Sequence, residues 1–505
     1  MGLYDFTLYD VIVRNALLYR DAPAWLDDGQ DAPLTFGQVK IDVDRLAVGL
    51  QKSGCRKGDR IGVVGKNSLA YFVVYGAAAA LGAIVVPVNW RLSADEAAFI
   101  LEDGAPRCVF SDDSNLEWTA AVRSKLADDL PFYNLQPGTG PFDTLALGAA
   151  TVAFAPPAVD GDDGFVMIHT AAVAGRPRGA LLSQNNLLCS HLHLAHAFGL
   201  TTDDVHVNAL PLFHVGGLFM VFCAFHVGCL NINLAKFDAP RMVALISEHR
   251  ASFTFTFAPM LKSLLDAQAK TGADIGSLRA VMGLDAPEVI EQYQQTTGGT
   301  FYNMYGQTET SLLASLGPYD DAPGSAGRPI LLGAVQLMDD KDRPVPPGEV
   351  GEIALRGPMV FKEYWGLEED NRYTFRNGWH HTGDLGRMDA AGFLWYAGRK
   401  ADKELIKPGG ETVYPAEVEK AVLAHPDGEQ VVVFGVPDPK WKEGIKAVCV
   451  LTQGADLTAE ALIAFVGGRI ARYKKPQYVE FVETMPVKSD GSVDREEVKS
   501  MYGGL

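Results

Sequence analysis

The chain has 505 residues, 48% of them hydrophobic and 21% charged, with a formal net charge of −18. This balance excludes collagen-like, low-complexity and disordered classes, and it argues against nucleic acid or an anionic membrane surface as the main partner. The length suggests about two to four units, each able to bury a core of its own.

The opening stretch MGLYDFTLYD carries acidic residues where an export signal needs basic ones, and Phe6 stands where myristoylation needs Ser or Thr. Neither export nor lipidation is expected. Six cysteines, at 55, 108, 189, 223, 229 and 449, have no paired spacing, so neither a zinc site nor a disulfide framework is expected and a reducing cytoplasm fits. The apolar run from Tyr71 to Val88 is interrupted by Gly76, Gly82 and Pro87. It predicts a helix, a turn at Gly82 and a strand, and no membrane span.

From Arg60 onward, β-branched runs (IGVVG, AIVVPV, CVF) alternate with Ala/Leu-rich stretches, the pattern of a parallel sheet flanked by helices. The fold class is therefore α/β. A Pro/Gly-rich passage from Leu135 to Gly164 reads as a surface connection, followed by the strand FVMIHT. Later runs (AVQLMDD, GEVGEIALRG, GFLWYAGR) between PPG and DAAG turns predict an antiparallel sheet or a small barrel-like part. Residues 1–398 carry a net charge of −16 and the last 107 residues −2. That tail reads helix, strand, strand, helix, a small α+β domain with its boundary near Gly398.

Two segments carry recognisable chemistry. YGQTET (305–310) offers an aromatic ring to stack a base, a glycine for a tight turn, hydroxyls for phosphate and the Glu309 carboxylate for a magnesium ion. A loop with a Thr-Glu helix cap is the plainer reading. In HTGDLGR…AGRK, Asp384 could accept two hydrogen bonds from a ribose diol, with Arg399 as a second contact. The plainer reading is a turn carboxylate beside a surface arginine.

Together with ALPLFHVGG (209–217), MGLDAP (282–287), NMYGQTET (303–310), WYAGRK (395–400) and KPGGETVYPAEVE (407–419), these segments resemble the adenylate-forming superfamily of acyl-CoA synthetases and aryl-CoA ligases. The resemblance implies a large N-terminal lobe (1–398), a hinge (399–404, with Lys403 its first candidate) and a mobile C-terminal domain (405–505). It also implies ATP, Mg2+ and CoA as cofactor and co-substrates. Tyr305 would stack on adenine, Asn303 would bond its edge, Thr308 would meet the α-phosphate and Glu309 would hold magnesium. Asp384 and Arg399 would take the ribose. His214 and the backbone at Gly283 would border the carboxylic acid, a satisfied core histidine being the alternative for His214. Gly409 and Gly410 would let the pantetheine arm pass.

Two departures stand out. The superfamily's phosphate loop corresponds to HTAAVAGRPRGA (169–180), where alanines and a valine replace hydroxyl residues; Thr170 and Gly175 remain, and Arg176 and Arg178 add charge. A lysine that bridges carboxylate and α-phosphate is expected near the C-terminus, where this chain has Ser492. Lys488 is either its substitute or a solvated surface lysine. The expected activity is that of an AMP-forming carboxylate–CoA ligase acting on a fatty or aromatic acid, with a homodimer left open. The alternative is an adenylation-impaired, nucleotide-binding partner protein.

Overall fold

The computed structural model describes residues 5–112, 116–135, 153–170, 177–400, 406–411, 413–439, 441–487 and 493–504. Its first sheet has seven strands, with parallel pairing among Gly164–Thr170, Ile84–Val88, Arg60–Val64, Cys108–Ser111 and Phe132–Asn134. Arg178–Ser183 and Glu363–Tyr364 extend it antiparallel on one side. In the stretch from Tyr71 to Val88 only Gly82 breaks an element; Gly76 lies inside the helix and Pro87 inside the strand. Ser68 caps the helix Leu69–Leu81, Gly82 ends it at φ 66°, and the strand Ile84–Val88 follows, wholly buried.

A second sheet of nine strands has a parallel centre that includes Phe253–Phe257, Ala280–Leu284 and Thr300–Tyr305, with antiparallel pairs at both edges. The helix Val215–Val227 sends Phe222 against Phe72, Tyr75 and Phe165, and so joins the two sheets through one aromatic core.

The runs read as a sheet or barrel-like part form four antiparallel strands, in the order Ala334–Met338, Gly351–Arg356, His380–Met388, Leu394–Arg399. Among the described residues this sheet is open, which corrects the barrel-like expectation: alternation announces one covered face and says nothing of whether the edges meet. The C-terminal part pairs Gly428–Asp438 with Lys442–Leu451 and adds a parallel strand, Tyr478–Phe481. The helices Pro415–Leu423 and Ala459–Gly467 pack on its sheet around Val418, Val422, Leu462 and Val466. The fold is thus mixed α/β, with a large N-terminal and a small C-terminal domain. Among the described residues, no helix is long and apolar enough to cross a membrane.

Candidate active site

Antiparallel register sets Asp384 directly opposite Arg399, so two residues from separate motifs meet across one strand pair. Arg399 Nε lies 2.7 Å from Asp384 Oδ1, and the Asp384 side chain is only 2% exposed. Its other oxygen, Oδ2, accepts from the Tyr305 hydroxyl at 2.7 Å and from Gln307 Nε2 at 2.5 Å. Tyr305 ends the strand Thr300–Tyr305 of the nine-stranded sheet, so this contact ties that sheet to the four-stranded one. Burial first, and then the Asp384 charge, push the Tyr305 phenol well above its ordinary range. The plainer reading of a surface arginine beside a turn does not hold. Both Asp384 Oδ1 and Arg399 Nε are buried without a well-formed hydrogen bond, which fits a ligand that brings hydroxyls. Asn303, on the same strand, donates to the Ser325 carbonyl at 2.9 Å.

The Thr308–Thr310 turn follows Tyr305 and buries Glu309. Glu309 Oε1 accepts from the Tyr364 hydroxyl at 2.9 Å and lies 3.4 Å from Thr170 Oγ1. The Arg178 guanidinium sits 4.0 Å above the Tyr364 ring, and its Nη2 donates to the Tyr364 hydroxyl at 3.3 Å. Arg178 Nε is buried with no partner. Thr170, Arg178 and Glu309 thus converge, through the Tyr364 hydroxyl, at the end of the strand pair Gly164–Thr170 and Arg178–Ser183. Ala171 to Arg176, between those strands, lie outside the described residues, as do Lys403, Lys488 and Ser492.

His214 stands at the N-terminus of the helix Val215–Val227 against Phe213, with its side chain 47% exposed. It is not a core histidine. Its Nε2 is 3.5 Å from Glu411 Oε2, and Arg91 pairs with the other oxygen of the same carboxylate. Burial alone would raise the Glu411 pKa, but His214 and Arg91 hold it below the ordinary carboxylate value. Glu411 follows the turn Pro408–Gly410, where Gly409 has φ 59° and an added Cβ would lie 2.8 Å from the Trp441 ring. Gly283 is required for space: a Cβ there would come 2.3 Å from the Thr256 carbonyl oxygen. Three groups of contacts thus form among the described residues: Asp384 with Arg399 and Tyr305, Glu309 with Thr170 and, through Tyr364, Arg178, and His214 with Glu411.

Gln307, Tyr364, Arg91 and Glu411 were not singled out by the sequence reading. Gln307 and Glu411 lie inside the quoted segments, so their polar side chains were a usable signal; Tyr364 and Arg91 had none. Behind Asp384, Glu352 Oε1 accepts from the Gly383 amide at 2.9 Å, while its Oε2 meets His381 at 3.1 Å, Lys400 at 3.1 Å and Arg376 at 3.2 Å. Asp342, Glu352 and His381 are close enough together to hold a metal, but Arg376 and Lys400 already neutralise their carboxylates. This group acts as a support for the Thr382–Asp384 backbone.

The family profile described as AMP-binding enzyme matches residues 12–365, and that of the AMP-binding enzyme C-terminal domain matches residues 417–491. A feruloyl-CoA synthase from Amycolatopsis is 32% identical, covering 97% of this chain and 98% of that protein. A structure described as a long-chain-fatty-acid CoA ligase from Rhodopseudomonas palustris is 45% identical with a TM-score of 0.74, covering 79% of this chain and all of the other. The o-succinylbenzoate CoA synthetase of Bacillus subtilis, 27% identical, superposes with a TM-score of 0.86 in its complex with the product analogue OSB-NCoA, covering 98% of each chain. Bound to its acyl-adenylate, the same synthetase gives 0.72 over the whole of both chains.

Proposed function

The chain belongs to the AMP-binding enzyme family, and from that premise we propose that its three groups bind, in order, the nucleotide, the phosphates and the activated acid. The protein is an AMP-forming acid–CoA ligase for a fatty or aromatic carboxylic acid. The acid's carboxylate oxygen bonds to the α-phosphorus of ATP and pyrophosphate leaves. The CoA thiol then loses its proton and bonds to the acyl carbon, and AMP leaves. The reading of a nucleotide-binding partner with little adenylating activity gains no support from these relatives.

The single observation that carries the assignment of residues is the buried Asp384–Arg399 ion pair beside Tyr305, whose facing atoms form no well-aligned hydrogen bond with each other. Asp384 accepts from the ribose hydroxyls, Arg399 supplies a second ribose contact and Tyr305 stacks on adenine with Asn303 at its edge. Thr170, Thr308 and Arg178 face the phosphates. The first step brings two anions together, so positioning and positive charge supply most of the rate. Glu309 would hold Mg2+, which supplies charge neutralisation when bound; one carboxylate beside a hydroxyl suits an ion that keeps several waters and phosphate oxygens. His214 and the Gly283 backbone border the acid. Gly409 and Gly410 line the path of the CoA thiol.

The division at Gly398, with a hinge between 399 and 404, belongs to the same proposal. Glu411 beside His214 brings the Gly409–Gly410 turn to the acid end, as thioester formation needs. The higher TM-score against the product-analogue complex supports that arrangement.

Separating the half-reactions tests the proposal. ATP–pyrophosphate exchange should depend on one class of acid in a panel of aliphatic and aromatic acids, and synthetic acyl-AMP plus CoA should give thioester. Neither exchange nor thioester formation in a nucleotide-binding protein would overturn it.

A further inference from the structure

We infer that Lys474, held between Glu96 and Glu417, is a positioning residue that latches the two lobes together for thioester formation alone. This rests on the proposed activity and goes beyond its binding residues.

None of the five buried apolar clusters among the described residues mixes residues 8–394 with residues 406–502. The two parts instead meet through charged pairs: Arg91 and His214 with Glu411, Asp285 with Lys442 at 3.1 Å, and Glu96 with Lys474. Charged contacts of this kind are directional and can be broken without exposing an apolar core, which suits a joint that opens and closes.

Lys474 is the most deeply buried cation among these groups, with its side chain 5% exposed. Its Nζ lies 2.5 Å from Glu96 Oε1 and 2.6 Å from Glu417 Oε1. Glu417 belongs to the C-terminal part and stays with Lys474 if the lobes separate. Glu96 belongs to the large lobe, where its other oxygen accepts from the Ser93 amide at 2.7 Å in a helix capping box. Only the Glu96 contact therefore depends on how the lobes are docked. The Lys474 charge also acts on Glu411, which in turn touches His214 at the acid. A latch at Lys474 thus sets Glu411 and the neighbouring Gly409 turn against the acid end of the cleft.

Removing the ammonium leaves two buried carboxylates facing each other, whereas neutralising Glu96 leaves an ordinary Lys474–Glu417 pair. Lys474→Met should therefore slow docking more than Glu96→Gln, and Lys474→Arg should retain most of the function. The assay is single-turnover conversion of synthetic acyl-AMP by CoA, with affinity for a sulfamoyl acyl-adenylate analogue as the control. Glu96→Gln should slow thioester formation about tenfold and Lys474→Met further, with analogue affinity within about twofold of the parent. Glu96→Gln keeps the helix cap, so it tests the latch even where Lys474→Met fails to fold. Unchanged thioester formation in Glu96→Gln, or an equal loss of analogue affinity, would overturn the latch. A parent enzyme that makes no thioester would instead overturn the proposed function.

Discussion

Replacing Asp384 by asparagine removes the charge from a side chain that is 2% exposed and has three donors around it. Oδ1 faces Arg399, and Oδ2 serves both Tyr305 and Gln307. Whichever way the new amide turns, its NH2 group confronts a donor, so at least one hydrogen bond to a charged group is lost. Such a bond contributes about 1.5–3 kcal/mol, and the same loss applies to a ribose hydroxyl that the carboxylate accepts from. The affinity for ATP or AMP should therefore fall by about ten- to a hundredfold in Asp384→Asn. Asp384→Ala goes further. It strands the Arg399 guanidinium, 17% exposed, without its counter-charge, a loss that commonly costs about 3–5 kcal/mol of stability. Isothermal titration of AMP into Asp384→Asn, with a thermal melt of both variants, checks the two effects separately. Parental AMP affinity in folded Asp384→Asn would refute the assignment of this carboxylate to the ribose.

Other outcomes follow from the geometry at Glu352 and Gly409 and from the sequence at Ser492 and Lys488. Burial alone would raise the Glu352 pKa, but His381 and Lys400 lower it from 4.5 to about 2. A depressed carboxylate adds stability above its unfolded value and loses it as pH falls towards its folded one. The gap in urea midpoint between the parent and Glu352→Gln should thus shrink from pH 5 towards pH 2; a constant gap would contradict the ion cluster. Gly409→Ala forces a side chain to φ 59° against Trp441, so thioester formation should slow while pyrophosphate exchange holds; an equal loss of both would argue against the turn's place on the thiol path. Ser492→Lys should raise exchange, because a missing charge donor at the transition state commonly costs about a hundred- to a thousandfold. No rise in a folded variant would mean that the absent lysine does not limit the enzyme. Lys488→Ala asks the converse, and an unchanged exchange rate would remove it as the substitute.

What could be read in advance was whatever local sequence decides. The helix, Gly82 turn and strand between Tyr71 and Val88 follow from apolar runs and a glycine that can take positive φ. Tyr305, Asp384 and Arg399 were nameable because each sits in a short segment whose residue types suit a nucleoside. Their meeting was not nameable from spacing, since it depends on antiparallel register within one sheet and on a hydrogen bond from Tyr305 of another sheet. Tyr364 was missed for that reason: it is an ordinary tyrosine until a strand added beside Arg178–Ser183 carries it to Glu309. The strand Tyr478–Phe481 gave little signal because every residue in it is half-buried, with no alternation between faces. The barrel-like expectation went too far because alternating runs do not encode closure.

The account depends on an acid being activated as its adenylate and then handed to a thiol. The most direct measurement is mass spectrometry of a mixture of enzyme, ATP, Mg2+ and a cognate acid, sampled before and after CoA is added. Acyl-AMP should accumulate first, and AMP and thioester should then appear in equal amounts. Release of ADP, or thioester formed without AMP, would contradict it.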